Sequence, residues 1–216
     1  MQNHMLSRWS PAAPVVVILC TLSLARVAAA ADLSEPKAAA KTFVTALAAH
    51  DLATLRSASI GNDEERQRIE AMSDLIVAQR KYGDAAHAKF GEDARVPRRD
   101  VAKDFEEKLK TAEVKMEGDS ASLADPQDPQ SPPLKLKRES GDWKIDLSSM
   151  QMRGAAAAGG QMKQIAEAMN TTADEIASGK YASFLEAQKA LTQRLAPITD
   201  SLRRGSSTAP SSQPSR

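Results

Sequence analysis

Three side chains of this 216-residue chain, His50, Tyr82 and His87, are of the types that move protons to and from a bound substrate. An imidazole titrates near neutrality, and a phenol in an apolar cavity can donate to a developing oxyanion. Each also has a plain structural reading. His50 stands where a helix should end, with its ring at the surface. His87 lies among Ala85, Ala86 and Ala88, with Asp84 and Glu92 in sequence reach. Tyr82 falls at a predicted helix end, where a tyrosine buries its ring and wets its hydroxyl. Metal ligation has no matching pattern. His50 and His87 are thirty-seven residues apart, H-E-x-x-H is absent, and the one cysteine is Cys20. D-P-Q-D-P-Q from Asp125 lacks the glycine and glutamate of a calcium loop. No G-x-S-x-G or Gly-rich phosphate loop occurs, and N-T-T at Asn170 matches a sequon only formally. No catalytic residue, metal or cofactor is assigned from motif alone.

The first thirty residues read as an address. Arg8 precedes an apolar run of twelve, Pro14 to Ala25, and V-A-A-A-A follows with residues small enough for signal peptidase. A membrane span needs about twenty apolar residues. This run is shorter and ends at Arg26. Cleavage is expected near Ala30, giving a protein exported to the periplasm or the medium, with no stable span after the cut. Leu19 before Cys20 does not suit lipoprotein processing. Losing Cys20 leaves no thiol, so disulfides and thiolate catalysis are excluded and the core must hold by packing. The chain has 29 Lys and Arg against 28 Asp and Glu. Near-neutral, interspersed charge argues against a nucleic-acid surface.

The elements that would position these side chains follow from periodicity. Ser34 is expected to cap a helix to Ala49 whose inner side carries Ala40, Phe43, Val44 and Leu47. Asp51 suits the cap of a short second helix, which Gly61 ends. Asn62 and Glu65 resemble a capping box opening a helix with Ile69, Met72, Ile76 and Tyr82 inward. Gly83-Asp84 is expected to break it, leaving a short helix around His87 that stops at Gly91. Pro97 is placed in the first turn of the next helix, with Val101, Phe105 and Leu109 inward. Its Asp104–Lys108 and Glu106–Lys110 spacings suit i,i+4 pairs.

At Ala112 the period changes to two. Val114, Met116, Ala121, Leu123, Leu134, Leu136, Trp143, Ile145 and Leu147 are expected on one face, with turns at Gly118-Asp119 and Ser140-Gly141. Lys135, Lys137, Asp142, Lys144 and Asp146 then point to solvent. Asp125 to Pro133 is a stiff loop. About four strands thus share one apolar face. A sheet covered on one side by helices is the α+β class: helices on one face of a curved antiparallel sheet, with a C-terminal helical extension. In that extension, A-A-A-A-G-G before Gln161 reads as a weak helix end. Met162, Ile165, Met169 and Ile176 form a stripe on one helix or two, and Gly179 fits a helix stop. Ser183 with Glu186 opens a last helix to Ala196, with Phe184, Ala187, Leu191 and Leu195 inward. The domain plan is a signal over 1–30, an α+β domain over 31–149, helices over 150–204 and a disordered tail over 205–216.

Two segments, F-V-T-A-L-A-A-H-D-L-A-T-L-R and L-K-L-K-R-E-S-G-D-W-K-I-D-L, resemble the nuclear transport factor 2-like superfamily. The match covers about Ser34 to Ser149. That resemblance implies a cone in which helices cover a bent antiparallel sheet; this sequence departs from it in showing no strand between the first and later helices. Enzymes of the class, the ketosteroid isomerase and dehydratase types, carry polar groups inside the cone, where an apolar wall shifts their pKa values. Here Phe43, Leu47, Met72, Ile76, Tyr82 and Trp143 are the pocket candidates. Tyr82 and His87 are the polar candidates for an isomerase- or dehydratase-like activity. The leading expectation is a non-enzymatic module that binds a small apolar ligand in the cone or an envelope partner through the C-terminal helices. A third reading has those helices plugging the cone.

Overall fold

A computed structural model describes residues 31–150 and 155–206. The expected cut near Ala30 and the tail past Ser206 lie outside the described residues. The elements are α1 (Pro36–Ala49), α2 (Leu52–Ser57), β1 (Ser59–Ile60), α3 (Asp63–Phe90), α4 (Val101–Thr111), β2 (Glu113–Glu117), β3 (Ser120–Ala124), β4 (Leu134–Glu139), β5 (Asp142–Asp146), α5 (Ala155–Ala177) and α6 (Phe184–Ser206). The strands form one open sheet in the order β1-β5-β4-β3-β2. β1 runs parallel to β5, and the other pairs are antiparallel. The architecture is α+β, with five strands rather than four and a mixed sheet rather than an antiparallel one. Two residues of β1, Ser59 and Ile60, are too few to show a strand period.

Local chemistry sets most helix ends. Glu35, not Ser34, holds the N-cap position of α1, with Pro36 in the first turn. Ser34 is engaged by Asp32, its hydroxyl donating at 2.7 Å. His50 ends α1 in the left-handed region at φ 57°. Asp51 caps α2 by accepting from the Thr54 N–H at 3.1 Å. Asn62 and Glu65 form a full capping box, both bonds 2.9 Å. The helix it opens does not break at Gly83-Asp84. α3 runs unbroken for 28 residues, roughly 42 Å, and His87 lies in its last turn. The cost of an interior glycine is about 1 kcal/mol, less than the packing of Tyr82 and Ala86 on either side. The helix expected from Pro97 begins at Val101, because Asp100 supplies the cap to the Lys103 N–H at 3.1 Å. The expected pairs within α4 give way to others: Glu106 meets Lys41 at 2.7 Å, Lys108 reaches Asp125 at 3.4 Å, and Lys110 takes Glu107 at 2.7 Å.

α1 lies across the sheet, with α2, α4 and the N-terminal half of α3 around it. Phe43, Leu136, Trp143, Ile145 and Leu147 interlock there with Leu47, Leu55 and Ile69. Val114 and Met116 share this face, being paired with Leu123 and Ala121. They are nonetheless 39% and 57% exposed, on the last strand of the sheet. At the opposite edge, β5 is covered. Trp143 N–H donates to Leu33 O at 2.8 Å and Ile145 N–H to Ala58 O at 2.9 Å. Asp146 was expected in solvent but is buried on the outer face. Lys137 Nζ sits 2.8 Å from it, and its Oδ1 accepts from the Ser148 N–H at 3.1 Å. Burial pushes its pKa up, but the bonds from Lys137 and Ser148 outweigh this and hold it below the ordinary value.

A second core forms on the other half of α3. Tyr82 and Ala86 pack there with Ala94, Ala173, Ile176, Tyr181, Ala187 and Leu191. No side chain of α5 or α6 belongs to the sheet core among the described residues. α5 is one helix, and it includes the Ala-Gly run expected to be a weak end. α6 continues through Pro197 to Ser206, past the expected stop at Ala196 and into the segment expected to be tail. Ile198, buried immediately after the proline, anchors that continuation. Glu175 ties α5 to α6: Lys180 Nζ lies at 2.6 Å, the Tyr181 hydroxyl donates to it, and Arg194 Nη2 approaches to 2.7 Å. Arg194 also donates to the Thr172 hydroxyl at 2.9 Å. Hydrogen bonds from Lys180, Tyr181 and Arg194 hold the Glu175 pKa at about 2 instead of 4.5.

Two outcomes follow. A Cβ at Gly83 would meet only Val96 Cγ1, at 3.5 Å. Gly83→Ala is therefore expected to stabilise the protein by about 0.5–1 kcal/mol, read from the urea midpoint. The stability from the depressed Glu175 pKa is fully present above 4.5 and is lost as pH falls through about 2. Glu175→Gln should flatten the fall in melting temperature across that interval while lowering the melting temperature at neutral pH.

Candidate functional site

The sheet core gathers five of the six pocket candidates, Phe43, Leu47, Met72, Ile76 and Trp143. Tyr82 is not among them; it belongs to the second core. Phe43 is 1% exposed and Ile145 0%, so the space under Trp143 is occupied by side chains. The four buried polar residues among those described are each hydrogen-bonded, and Arg66 Nε is the one buried side-chain nitrogen there without a partner. The Ser59 hydroxyl donates to Leu55 O at 2.6 Å, Ser73 to Leu47 O at 2.7 Å and Thr172 to Ala168 O at 2.8 Å. Asp146 is held by Lys137 and Ser148.

Tyr82 and His87 are not brought together. Five residues apart, they point about 140° from one another around α3. Burial, with a smaller contribution from Tyr181, pushes the Tyr82 phenol up from 10.0. That keeps it neutral. His87 fastens the loop after α3: Nε2 lies 2.8 Å from Val96 O and Nδ1 3.4 Å from Gly91 O.

The richest assembly of unspent polar groups surrounds His50. The left-handed turn that ends α1 swings its ring onto α3. Nδ1 lies 3.1 Å from Ser73 Oγ and 3.5 Å from Asp74 Oδ1. Ser73 has one hydroxyl proton, already given to Leu47 O. Its oxygen must therefore accept, and Nδ1 carries the proton. Nε2 of the neutral ring keeps its lone pair. The ring is 39% exposed and borders a cleft of about 540 Å³ with Asp74, Val77, Lys163, Glu167 and Asn170. A carboxylate beside Nδ1–H orients the imidazole and leaves Nε2 as the ring's acceptor atom. Ser73 is no nucleophile, being fully buried and committed to Leu47. Sequence reasoning named His50 among the proton-moving side chains but gave it a helix end and no partners. Its partners sit twenty-three and twenty-four residues on, and its cleft wall more than a hundred, distances no local spacing rule spans.

A second hollow, about 440 Å³, lies on the outer sheet face among Lys115, Ser120, Ser122, Lys135, Lys137 and Asp146. Cross-strand register builds it: Ser122 faces both Lys115 and Lys135, and Ser120 faces Lys137. Lys115 is paired with Glu117 at 3.1 Å and Lys137 with Asp146 at 2.8 Å, which spends most of its positive charge. No cluster of three or more His, Cys, Asp or Glu able to hold a metal occurs among the described residues. Nor is any helix there long and apolar enough to cross a membrane. Comparison with protein-family models, curated proteins and solved structures returned no match.

The proton assignment at His50 has a direct readout. Long-range ¹H–¹⁵N spectra above the imidazole pKa should show Nδ1 protonated and Nε2 bare. Ser73→Ala, which removes the acceptor and leaves Leu47 O with only the 3.4 Å bond from the His50 N–H, should mix the two tautomers and cost about 0.5–1.5 kcal/mol of stability.

Proposed function

We propose that this chain is an exported, non-enzymatic binding module of the nuclear transport factor 2-like kind, engaging an envelope partner through the polar cleft bordered by His50, α3 and α5. The closed packing of Phe43, Trp143 and Ile145 carries the reading. With the sheet core full, recognition moves to the surface, and this cleft holds the polar groups that the fold itself does not consume. Lys163 and Asn170 stand on its α5 wall with Asp74 and Glu167 close by, a mixed-charge lining suited to a polar protein surface rather than to a lipid chain. This keeps the C-terminal helices as the contact element and drops the apolar ligand in the cone.

One observation favours a second reading, a proton-transfer enzyme of isomerase or dehydratase type. It is the His50 ring, fixed through Nδ1 and lining the cleft. In that reading His50 replaces Tyr82 and His87 as the working group.

A photo-crosslinking residue at position 163, in cells exporting the protein, should give an adduct with one envelope protein, and Asn170→Arg should abolish it. The isolated form should begin within about two residues of Ala31 by intact mass. Saturable quenching of Trp143, the only tryptophan after residue 30, by a fluorescent fatty-acid analogue would return the site to the core and overturn the proposal. Turnover of any substrate that disappears in His50→Gln would establish the second reading instead.

A further inference from the structure

The two edges of the sheet are treated differently. β5 is closed by the Leu33 and Ala58 carbonyls and by β1, whereas β2 stands last in the order with all five residues exposed. Of the three exposed large hydrophobic residues among those described, Val114, Met116 and Leu185, two lie side by side on this strand. An open, regular edge strand is a template for another strand. Nothing interrupts β2 before the Gly118 turn.

We infer that β2 is a self-association edge, pairing antiparallel with β2 of a second copy of this chain about a two-fold axis at Val114. The charge pattern selects both the occupant and the register. An axis perpendicular to the sheet keeps like faces together, so it must pass through Val114, Lys115 or Met116. Centring on Lys115 opposes lysine to lysine and Glu113 to Glu117, and like charges directly opposite repel. Centring on Met116 opposes Glu113 to Asp119 and Val114 to Gly118, whose φ of 61° leaves the extended conformation. Centring on Val114 opposes Glu113 to Lys115 twice, Val114 to itself, and Met116 to Ala112 twice. The side-chain pairs are then complementary, the Ala112 N–H stays with Lys108 O and marks the end of the ladder, and the ten-stranded sheet keeps both helical layers on one side. The two exposed apolar side chains cover each other. The interface is a single strand pair, so association is weak and concentration-dependent.

Sedimentation velocity on the chain as isolated, over a concentration series, should show a reversible monomer–dimer equilibrium. Lys115→Glu sets glutamate against Glu113 at two symmetric places and should weaken the dimer about tenfold or more. The double variant Lys115→Glu/Glu113→Lys should restore it, while Lys115→Glu/Glu117→Lys should not. All three positions are exposed, and circular dichroism should show native melting. A monomer at every concentration overturns the inference, and so would Lys115→Glu dimerising like the parent. Rescue by the Glu117→Lys combination instead overturns the register.

Discussion

The structure depends on the continuity of α3. Its first half seals the sheet core beside α1, and its second half carries Tyr82 and Ala86 into the core made with α5 and α6. No other element contributes buried side chains to both. The helix begins at the Asn62–Glu65 box, and Gly61 is held tight against it: a Cβ there would come within 2.7 Å of Glu65 Oε2. A disturbance at that cap is therefore felt in two places that share no other covalent neighbour.

The two cores use different physics. The sheet core is aromatic and aliphatic, with its polar groups confined to capping and turn roles. The helical core is alanine-rich and thin, and a hydrogen-bonded charge cluster centred on Glu175 supplements its packing. Lys180, Tyr181 and Arg194 converge on Glu175 and Arg194 reaches on to Thr172, and the network rather than any single pair fixes α6. Such a cluster resists heat better than it resists acid, because its carboxylate must stay ionised.

Much of this was legible in the chain, for identifiable reasons. Asp51, the Asn62–Glu65 box, Gly179 and the Ser140-Gly141 turn are short-range devices, and each is used. The period-two face of β3 to β5 placed Leu136, Trp143 and Ile145 correctly. Failures occur where tertiary contact overrides a local signal. Gly83 and Pro197 read as breakers, yet Gly83 sits beside Tyr82 of the helical core and Pro197 beside the buried Ile198. Val114 and Met116 alternate like buried strand residues, but alternation gives the face and not whether a helix lies over it. Asp146 reads as a solvated strand residue because neither Lys137 nor the following turn can be placed from spacing. His50 escaped for the same reason: its environment is assembled from three separated helices.

One junction has a kinetic meaning. The Leu33 carbonyl is bonded to Trp143 on the last strand. That links the two ends of a span of more than a hundred residues. The sheet can close only when nearly the whole span is available, and contacts of such long loop closure make folding slow. Joining Leu33 to the last strand is thus a late event, and until it happens Trp143 lacks the bond that holds its edge of the sheet.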